Sequence, residues 1–241
     1  MMTRIQSAKI KSLFIIGSIA LLFFTLESVT ITQNIDRIGY FDFYIIQAFQ
    51  SHLSSVMTVL MISATQLGSP AAIILLSILF VIVLLKHQMY GEGVWLLSTI
   101  ILGAGIINPL MKLLIARPRP IFHRLIKETG YSYPSGHALG ATIFYGSVAL
   151  LAIFYLRRLY LQIMVVILAG VLIVLIMVSR IYLGVHYPSD VLAGGLLGIS
   201  IDSLSAGIFM INRDRLRQFF SRYSFNNKAR QQPQYPNDRH I

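Results

Sequence analysis

The sequence predicts an all-α membrane protein: a polytopic bundle of six transmembrane helices with one further amphipathic helix at the membrane interface. The 241 residues are 56% hydrophobic but only 12% charged, which is about half the charged share of a typical soluble domain. Their mean hydropathy is +0.71. So few polar side chains cannot cover a globule of this size, and the apolar excess must lie in lipid. The apolar residues also fall into separate stretches, most of them near the ~20 residues that a helix needs to cross the hydrocarbon.

The six predicted spans cover residues 11–31, 71–87, 91–115, 136–157, 160–183 and 187–212. The first is preceded by basic residues, as in a signal peptide, but no small-residue cleavage site follows it, so we interpret it as a retained span. The segment 40–68 is apolar but is interrupted by polar residues such as Asp42 and His52, and it stops before Pro70. We interpret it as an amphipathic helix lying at the interface, with a seventh span as the alternative.

The few charges are strongly biased, with 20 Lys and Arg against 9 Asp and Glu and a net charge of +11. On a soluble protein this bias would indicate a nucleic-acid partner. Here the membrane spans separate the basic residues, so we expect no nucleic-acid binding. Six spans place both termini on one side, and assigning that side to the cytoplasm puts most of the basic residues inside.

These charges predict a multi-pass protein of the cell membrane with both termini in the cytoplasm. Residues 1–212 form a single membrane-embedded domain in this interpretation. Residues 213–241 are basic and polar, and they are predicted to form a disordered cytoplasmic tail.

Several basic residues lie on the outer side, where the orientation rule does not place them. Three of them belong to a set of three clusters at span ends: Lys112-x6-Arg119-Pro120, Pro134-Ser135-Gly136-His137 and Ser179-Arg180-x5-His186-x3-Asp190. Each cluster alone has an ordinary explanation as a lipid-facing anchor, a helix cap or a structural ion pair. Together they place three cations, two histidines and a carboxylate at one membrane depth, where such residues are costly and usually functional.

The chemistry of these clusters suits a phosphate group. Lys112, Arg119 and Arg180 supply positive charge, and the two guanidinium groups can bind phosphoryl oxygens through two bonds each. Ser135 and Gly136 open a helix, where backbone N–H groups and the helix dipole favour an anion.

The two histidines suit nucleophilic and acid catalysis. His186 and Asp190 are four residues apart, so a helix that starts near Pro188 places them on one face. A carboxylate bonded to one imidazole nitrogen leaves the other nitrogen available as a nucleophile. His137 comes from a different helix and is free to protonate a leaving oxygen.

The three clusters resemble the three-part signature of the type 2 phosphatidic acid phosphatase superfamily, in its bacterial six-span branch. The resemblance implies a phosphatase that needs no metal or other cofactor and forms a phosphohistidine intermediate. By residue, it implies His186 as the nucleophile, Asp190 as its orienting partner and His137 as the general acid. The phosphate would be held by the residues Lys112, Arg119, Ser135, Gly136 and Arg180.

We therefore expect a lipid phosphatase that acts on phosphomonoester or diphosphate headgroups at the extracytoplasmic face, with the lipid chains reaching the site laterally between spans. Phosphatidylglycerophosphate, phosphatidate and undecaprenyl diphosphate are the candidate substrates. Two alternatives stay open, namely a phosphotransferase acting between lipid headgroups and a lipid or anion transporter that uses the same basic pocket. A transporter, however, has no need of His137 together with the His186–Asp190 pair.

Other charged residues are not assigned to the site. Arg117 either assists with the phosphate or is a solvated charge in a turn. The next loop carries three further basic residues that we interpret as solvated, namely His123, Arg124 and Lys127. Asp202 lies near the middle of the sixth span, and we interpret it as a hydrogen-bonded carboxylate packed near Ser200, Ser203 or a neighbouring helix rather than as a proton relay.

Overall fold

The computed structural model of the chain describes residues 4–33, 35–121 and 124–230, and these residues contain helices but no strand. His123 and residues 231–241 of the predicted tail lie outside these ranges. In chain order the helices are α1 (Arg4–Gln33), α2 (Ile35–Gln50), α3 (Ser55–Gln66), α4 (Pro70–Lys86), α5 (Tyr90–Ile100), a π-helical segment (Ile101–Ile107), α6 (Asn108–Ile115), α7 (Gly136–Tyr155), α8 (Leu159–Tyr182) and α9 (Pro188–Arg230). The predicted all-α membrane bundle is confirmed.

Within the described ranges, five helical stretches are long and apolar enough to cross a membrane: Gln6–Gln33, Tyr90–Ile115, Gly136–Tyr155, Leu159–Tyr182 and Pro188–Ser221. Helices α3 and α4 meet the same requirement only as a pair, and they are bent by 49° at the break between them. The number of spans is therefore five, or six where the bent pair counts as one. The predicted span 71–87 matches α4, which reaches a membrane-spanning length only together with α3.

Two helices, α2 and α3, occupy the segment 40–68, in which we expected one amphipathic helix at the interface. Helix α2 ends at Gln50, and α3 begins after Ser54. The Ser54 hydroxyl caps α3 by accepting a hydrogen bond from the Met57 N–H at 3.2 Å. Helix α2 is amphipathic, as expected: Asp42 and Ile46 are buried, whereas Tyr40 and Tyr44 are largely exposed. Helix α3 instead continues into α4.

The third span contains a π-helical segment between α5 and α6. Wide turns of this kind frequently occur at functional sites. Helix α7 passes close to this segment, since a Cβ atom on Gly103 would lie 2.3 Å from Ile143 Cδ1. The segment is followed by α6, which carries Lys112 to the end of the bundle where the three clusters meet.

Helix α7 lies at the centre of the bundle, and its residues Ala138, Leu139, Ala141 and Ile143 are fully buried. Helix α9 packs closely against it, because a Cβ atom on Gly194 would lie only 2.6 Å from the carbonyl oxygen of Ser135. This close approach brings the starts of α7 and α9 together.

The predicted disorder of residues 213–230 is wrong, because α9 continues through the predicted boundary at residue 212 as far as Arg230. Contacts with the rest of the bundle explain the continuation. The guanidinium groups of Arg213 and Arg217 lie 3.6 and 3.8 Å from the buried Glu92 carboxylate. Arg213 also lies over the Tyr155 ring, 4.7 Å from its centroid.

Candidate active site

The three predicted clusters meet at one end of the bundle, around a cavity of about 580 Å³. Five of the predicted site residues line it: Lys112, Arg119, Gly136, His137 and His186. Ser135, Arg180 and Asp190 lie behind this wall and are almost fully buried. Beyond the polar wall the cavity extends along α4 and α5, where its lining is apolar and includes Ile73, Ile74 and Ile100. The structure therefore brings all eight predicted residues into one site.

The His186 ring lies between a carboxylate and a guanidinium. Its Nδ1 is 3.4 Å from Asp190 Oδ2, within ion-pair distance but without the alignment of a hydrogen bond. Its Nε2 is 3.1 Å from Arg119 Nη1. Because a guanidinium can only donate, Nε2 accepts this bond, and the proton of the neutral ring then lies on Nδ1, towards Asp190.

The protonation of His186 follows from its burial. Burial lowers the pKa of His186 to about 4, although the Asp190 carboxylate acts in the opposite direction. The ring is therefore neutral at neutral pH and keeps the Nε2 lone pair on the side of Arg119 and the cavity. His186 itself precedes α9, and Asp190 in the first turn of that helix accepts a 2.9 Å hydrogen bond from the Tyr187 N–H.

Two of the cations are fixed by backbone carbonyls of the loop that connects α6 and α7. The Arg119 guanidinium donates to the carbonyl oxygens of Thr129, Gly130 and Val185 at 2.9–3.2 Å. Lys112 Nζ donates to the carbonyl oxygens of Tyr131 and Ser132 at 2.7 and 3.3 Å. Burial lowers the pKa of Arg119, and Glu128 opposes this shift. An arginine keeps its charge even so.

Arg180 is fully buried, and its contacts come from three different elements. Nη1 donates to Thr65 Oγ1 of α3 at 2.8 Å and lies 3.5 Å from His137 Nε2 of α7. Nη2 donates to Glu128 Oε1 at 2.5 Å. The side chain of Arg180 therefore links the start of α7 to the bent α3–α4 pair.

Glu128 was not identified from the sequence, and it lies between two of the predicted phosphate-binding cations. Besides its bond to Arg180, its Oε2 is 3.7 Å from Arg119 Nη2. Burial alone would raise the pKa of Glu128, but the hydrogen bond and charge of Arg180 bring it below the ordinary value. Glu128 is therefore a carboxylate in this site. A single acidic residue next to Lys127 in a loop gives no signal of this position in the sequence.

Ser135 opens α7 as predicted. Its hydroxyl accepts from the Ala138 N–H at 3.4 Å, and its own N–H donates to the carbonyl oxygen of Asp190 at 2.9 Å. At Gly136 a Cβ atom would approach Asn108 Oδ1 to 3.3 Å, so a larger residue would press on α6. The N-terminus of α7 thus lies against the cavity with its backbone N–H groups at the polar wall.

Arg117 neither faces the cavity nor lies in solvent, so both expectations for it are wrong. Its Nη1 donates to Ser189 Oγ at 2.8 Å and to Asp190 Oδ1 at 2.7 Å. Its Nη2 donates to Asp42 Oδ2 at 2.7 Å. No signal in the sequence pairs Arg117 with Asp42, because Asp42 comes from α2, far away along the chain.

Asp202 is far from these groups and is satisfied by a single partner. Ser147 Oγ of α7 donates to its Oδ1 at 2.6 Å. The prediction of a hydrogen-bonded carboxylate packed against a neighbouring helix is confirmed.

The polar wall of the cavity favours an anionic group with several oxygens. Lys112 and Arg119 line this wall with the carboxylate of Glu128, and Arg180 lies behind it, bonded to Glu128. Guanidinium groups and helix N-termini bind phosphoryl oxygens well. In the described part of the chain, no three His, Asp or Glu side chains lie close enough together to hold a metal ion.

The chain is similar to known proteins over the part that contains these residues. Residues 93–213 match the family model described as the PAP2 superfamily, and this match contains all eight predicted site residues. Phosphatidylglycerophosphatase B of Bacillus subtilis is 34% identical over 160 residues, covering 66% of this chain and 76% of that protein. Undecaprenyl-diphosphatase of Sulfolobus acidocaldarius is 46% identical over 82 residues, covering 34% of this chain and 35% of that protein.

Two solved structures have the same fold. The crystal structure of a transmembrane PAP2 type phosphatidylglycerolphosphate phosphatase from Bacillus subtilis matches with a TM-score of 0.74 at 30% identity, covering 80% of this chain and 94% of that one. The crystal structure of Aquifex aeolicus LpxE matches with a TM-score of 0.55 at 22% identity, covering 68% and 93%. The second likeness concerns the fold alone. Because the family model spans half of the chain and the Bacillus relative is matched over most of its length, this chain belongs to the PAP2 superfamily.

Proposed function

We propose that the protein is an integral-membrane lipid phosphatase that hydrolyses phosphomonoester or diphosphate headgroups through a phosphohistidine intermediate on His186. One observation carries the proposal: a neutral imidazole lines a cavity together with Lys112 and Arg119, its Nε2 is bonded to Arg119, and Arg180 lies behind the same wall. Its other nitrogen faces the Asp190 carboxylate. This is the arrangement that a nitrogen nucleophile needs in order to attack an anionic phosphoryl group.

In the first step the Nε2 lone pair of His186 attacks phosphorus. A nitrogen–phosphorus bond forms, and the bond from phosphorus to the lipid oxygen breaks. His137, which has to enter this step as the imidazolium, donates a proton to that leaving oxygen and becomes neutral. The imidazole ring becomes positively charged, and the Asp190 carboxylate next to Nδ1 stabilises this charge.

In the second step water attacks the phosphohistidine. His137, now deprotonated, accepts the proton of this water, and the nitrogen–phosphorus bond breaks. Inorganic phosphate leaves and His186 returns to its neutral form. Each histidine ends the cycle as it began, so the reaction consumes only water.

The three cations stabilise the charge on the phosphoryl oxygens during both steps. Phosphoryl transfer depends mainly on positioning and electrostatic stabilisation. Arg119 and Arg180 both contact Glu128, and Lys112 lines the same cavity as Arg119. Glu128 has to leave the two guanidinium groups when a phosphate binds, because both anions need the same donors.

The apolar part of the cavity supports a lipid substrate. Its lining includes Ile73 and Ile74 of α4 and Ile101 of the π-helical segment, and it is continuous with the polar wall. A headgroup phosphate at His186 leaves this apolar part for the acyl or prenyl chain. The names of the relatives suggest phosphatidylglycerophosphate and undecaprenyl diphosphate as substrates, and phosphatidate has the same chemistry. Most basic residues of the sequence fall on the side of the predicted spans that carries the termini, opposite the site. This bias supports cytoplasmic termini and an extracytoplasmic site.

The test is phosphate release by the purified protein in detergent, with these three lipids as substrates and EDTA present throughout. We expect release from at least one of them, and its loss in His186→Ala. The matched control is His87→Ala, since His87 is exposed at the end of α4. A His186→Ala variant with a near wild-type rate would contradict the nucleophile, and activity lost in EDTA would contradict the metal-independent mechanism.

The same assay separates the remaining alternatives. A phosphotransferase would yield less free phosphate than dephosphorylated donor when a second lipid acceptor is added. A transporter would release no phosphate at all. We expect equal amounts of the two products, with and without an added acceptor.

A further inference from the structure

We propose that Arg117 and Asp42 are positioning residues for the reaction, and that through them helix α2 holds Asp190 in place behind His186. The inference rests on the proposed function, in which Asp190 orients the His186 nucleophile. Neither Arg117 nor Asp42 lines the cavity. Their effect on the reaction therefore passes through Asp190.

Both carboxylate oxygens of Asp190 have partners. Its Oδ1 accepts from Arg117 Nη1 at 2.7 Å. Its Oδ2 accepts from the Tyr187 N–H at 2.9 Å and faces His186 Nδ1 at 3.4 Å. Arg117 thus occupies the oxygen that His186 does not use. A carboxylate held at both oxygens cannot rotate away from the imidazole.

Arg117 is in turn held by Asp42 and by the ring of Tyr187. Its Nη2 donates to Asp42 Oδ2 at 2.7 Å, and its guanidinium lies over the Tyr187 ring, 4.0 Å from the centroid. Asp42 also accepts from the Ser189 N–H at 2.9 Å and from Ser189 Oγ at 2.6 Å. Asp42 therefore binds both Arg117 and the first turn of α9.

The three charged side chains of this network, Asp42, Arg117 and Asp190, are all buried. Asp42 and Asp190 have no exposed surface, and Arg117 is 4% exposed. A buried charge is tolerated only when it is paired and hydrogen-bonded. One guanidinium between two carboxylates satisfies all three groups, and its planar fork bonds both of them at once. This geometry locates α2 at a fixed distance from the catalytic pair.

The test compares Arg117→Met, Arg117→Lys and Asp42→Asn in the full-length protein in detergent. We expect Arg117→Met to lower kcat about 10–100-fold, by analogy with the outer partners of metal ligands, while the inhibition constant of inorganic phosphate stays within about twofold of wild type. Arg117→Lys keeps the charge but lacks the planar fork that aims separate N–H groups at the two carboxylates. We therefore expect its kcat to fall, but by less than that of Arg117→Met. Asp42→Asn keeps the shape and should cost about tenfold.

Asp202→Asn is the matched control, because Asp202 is an equally buried carboxylate of α9 that binds only Ser147. Its kcat should stay near that of wild type. Rates are normalised to folded protein, measured by size-exclusion chromatography and thermal unfolding. If Arg117→Met does not fold, Arg117→Lys and Asp42→Asn decide the test.

A merely structural role is separated from positioning by two readouts. Loss of structure would weaken phosphate inhibition along with kcat, whereas positioning through Asp190 lowers kcat alone. In an Asp190→Ala background, Arg117→Met should change the residual rate little, since its target is already absent. Wild-type kcat in both Arg117→Met and Asp42→Asn, or parallel losses of kcat and phosphate inhibition, would overturn the inference. His186→Ala in the same series tests the proposed function separately. If this variant stays active, the phosphohistidine mechanism is contradicted, whatever the Arg117 and Asp42 variants show.

Discussion

Arg180 Nη2 donates a 2.5 Å hydrogen bond to Glu128 Oε1, and the other oxygen of the same carboxylate lies 3.7 Å from Arg119 Nη2. A loop carboxylate therefore occupies the donors that the proposed mechanism assigns to phosphate. Its pKa lies below the ordinary value of a glutamate, so it competes with phosphate as an anion at every working pH.

Glu128→Gln should strengthen the binding of phosphate. An amide releases the two guanidinium groups more easily than a carboxylate, and a charge-assisted hydrogen bond is worth about 1.5–3 kcal/mol. Since Glu128 is partly exposed, we expect the inhibition constant of inorganic phosphate to fall about three- to tenfold, below the full value of such a bond. Asp214→Asn removes the same charge from an exposed position far along α9 and should leave the constant unchanged. An unchanged or higher constant in Glu128→Gln would argue against competition.

Arg180→Met should lower kcat by on the order of 10²–10³-fold, as the loss of one oxyanion donor does elsewhere. Arg180 is 1% exposed and its Nη1 also lies 3.5 Å from His137, so no solvent can replace it. Steady-state phosphate release gives the rate. Arg157→Gln, at an exposed arginine before α8, is the control, and a similar loss there would point to a general effect of charge.

The pH dependence of kcat/KM should follow the neutral form of His186. Because burial lowers the pKa of His186 to about 4, the ring stays neutral as the pH falls through 6.5 and gains a proton only near 4. We expect the loss of kcat/KM that protonation of His186 causes at acid pH to have its midpoint near 4, once the ionisations of the substrate phosphate and of His137 are divided out. A corrected midpoint near 6.5 would show an ordinary histidine instead.

The same shift predicts how stability varies with pH. In the unfolded chain His186 binds its proton near the ordinary pKa of about 6.5, whereas the folded protein excludes it until about 4. The unfolded state therefore holds more protons between these values, so this residue lowers the free energy of unfolding as the pH falls through that window. The midpoint of thermal unfolding of wild type relative to His186→Gln should therefore fall as the pH falls from 6.5 to 4 and stay constant outside this window. A difference that did not vary with pH would contradict this.

Gly194→Ala should destabilise the protein. A Cβ atom there would lie 2.6 Å from the Ser135 carbonyl oxygen, and this backbone cannot move without separating α7 from α9. Overpacking of this kind costs about 1–3 kcal/mol, so the midpoint of thermal unfolding in detergent should fall. Gly170→Ala is the control, because a Cβ atom on Gly170 of α8 would meet nothing within 4 Å. Equal midpoints in the two variants would refute the close packing.

The sequence was sufficient to predict the spans and the meeting of the three clusters, because each of these depends on local pattern. Apolar stretches mark helices, and a serine before a glycine marks the start of α7. Charged residues at span ends share one membrane depth, which is why Lys112, His137 and His186 reach a single cavity.

What the sequence did not predict depends on contacts between distant segments. Arg117 resembles any other turn arginine until Asp42 of α2 is seen next to it. Glu128 has its position only because its loop folds back on Arg180. The continuation of α9 depends on Glu92 of α5. The start of α3, by contrast, has a local signal in the sequence, because Ser54 is a residue type that commonly caps a helix.

The unbroken course of α9 has a physical consequence for the membrane itself. From Pro188 to Arg217 a helix rises about 44 Å, close to the ~40–45 Å of a bilayer with its headgroups. Asp190 lies at one end of this length, and the Glu92 contacts of Arg213 and Arg217 lie at the other. Neither end can shift without the other, so a bilayer thinner or thicker than this length has to deform, or the helix has to tilt.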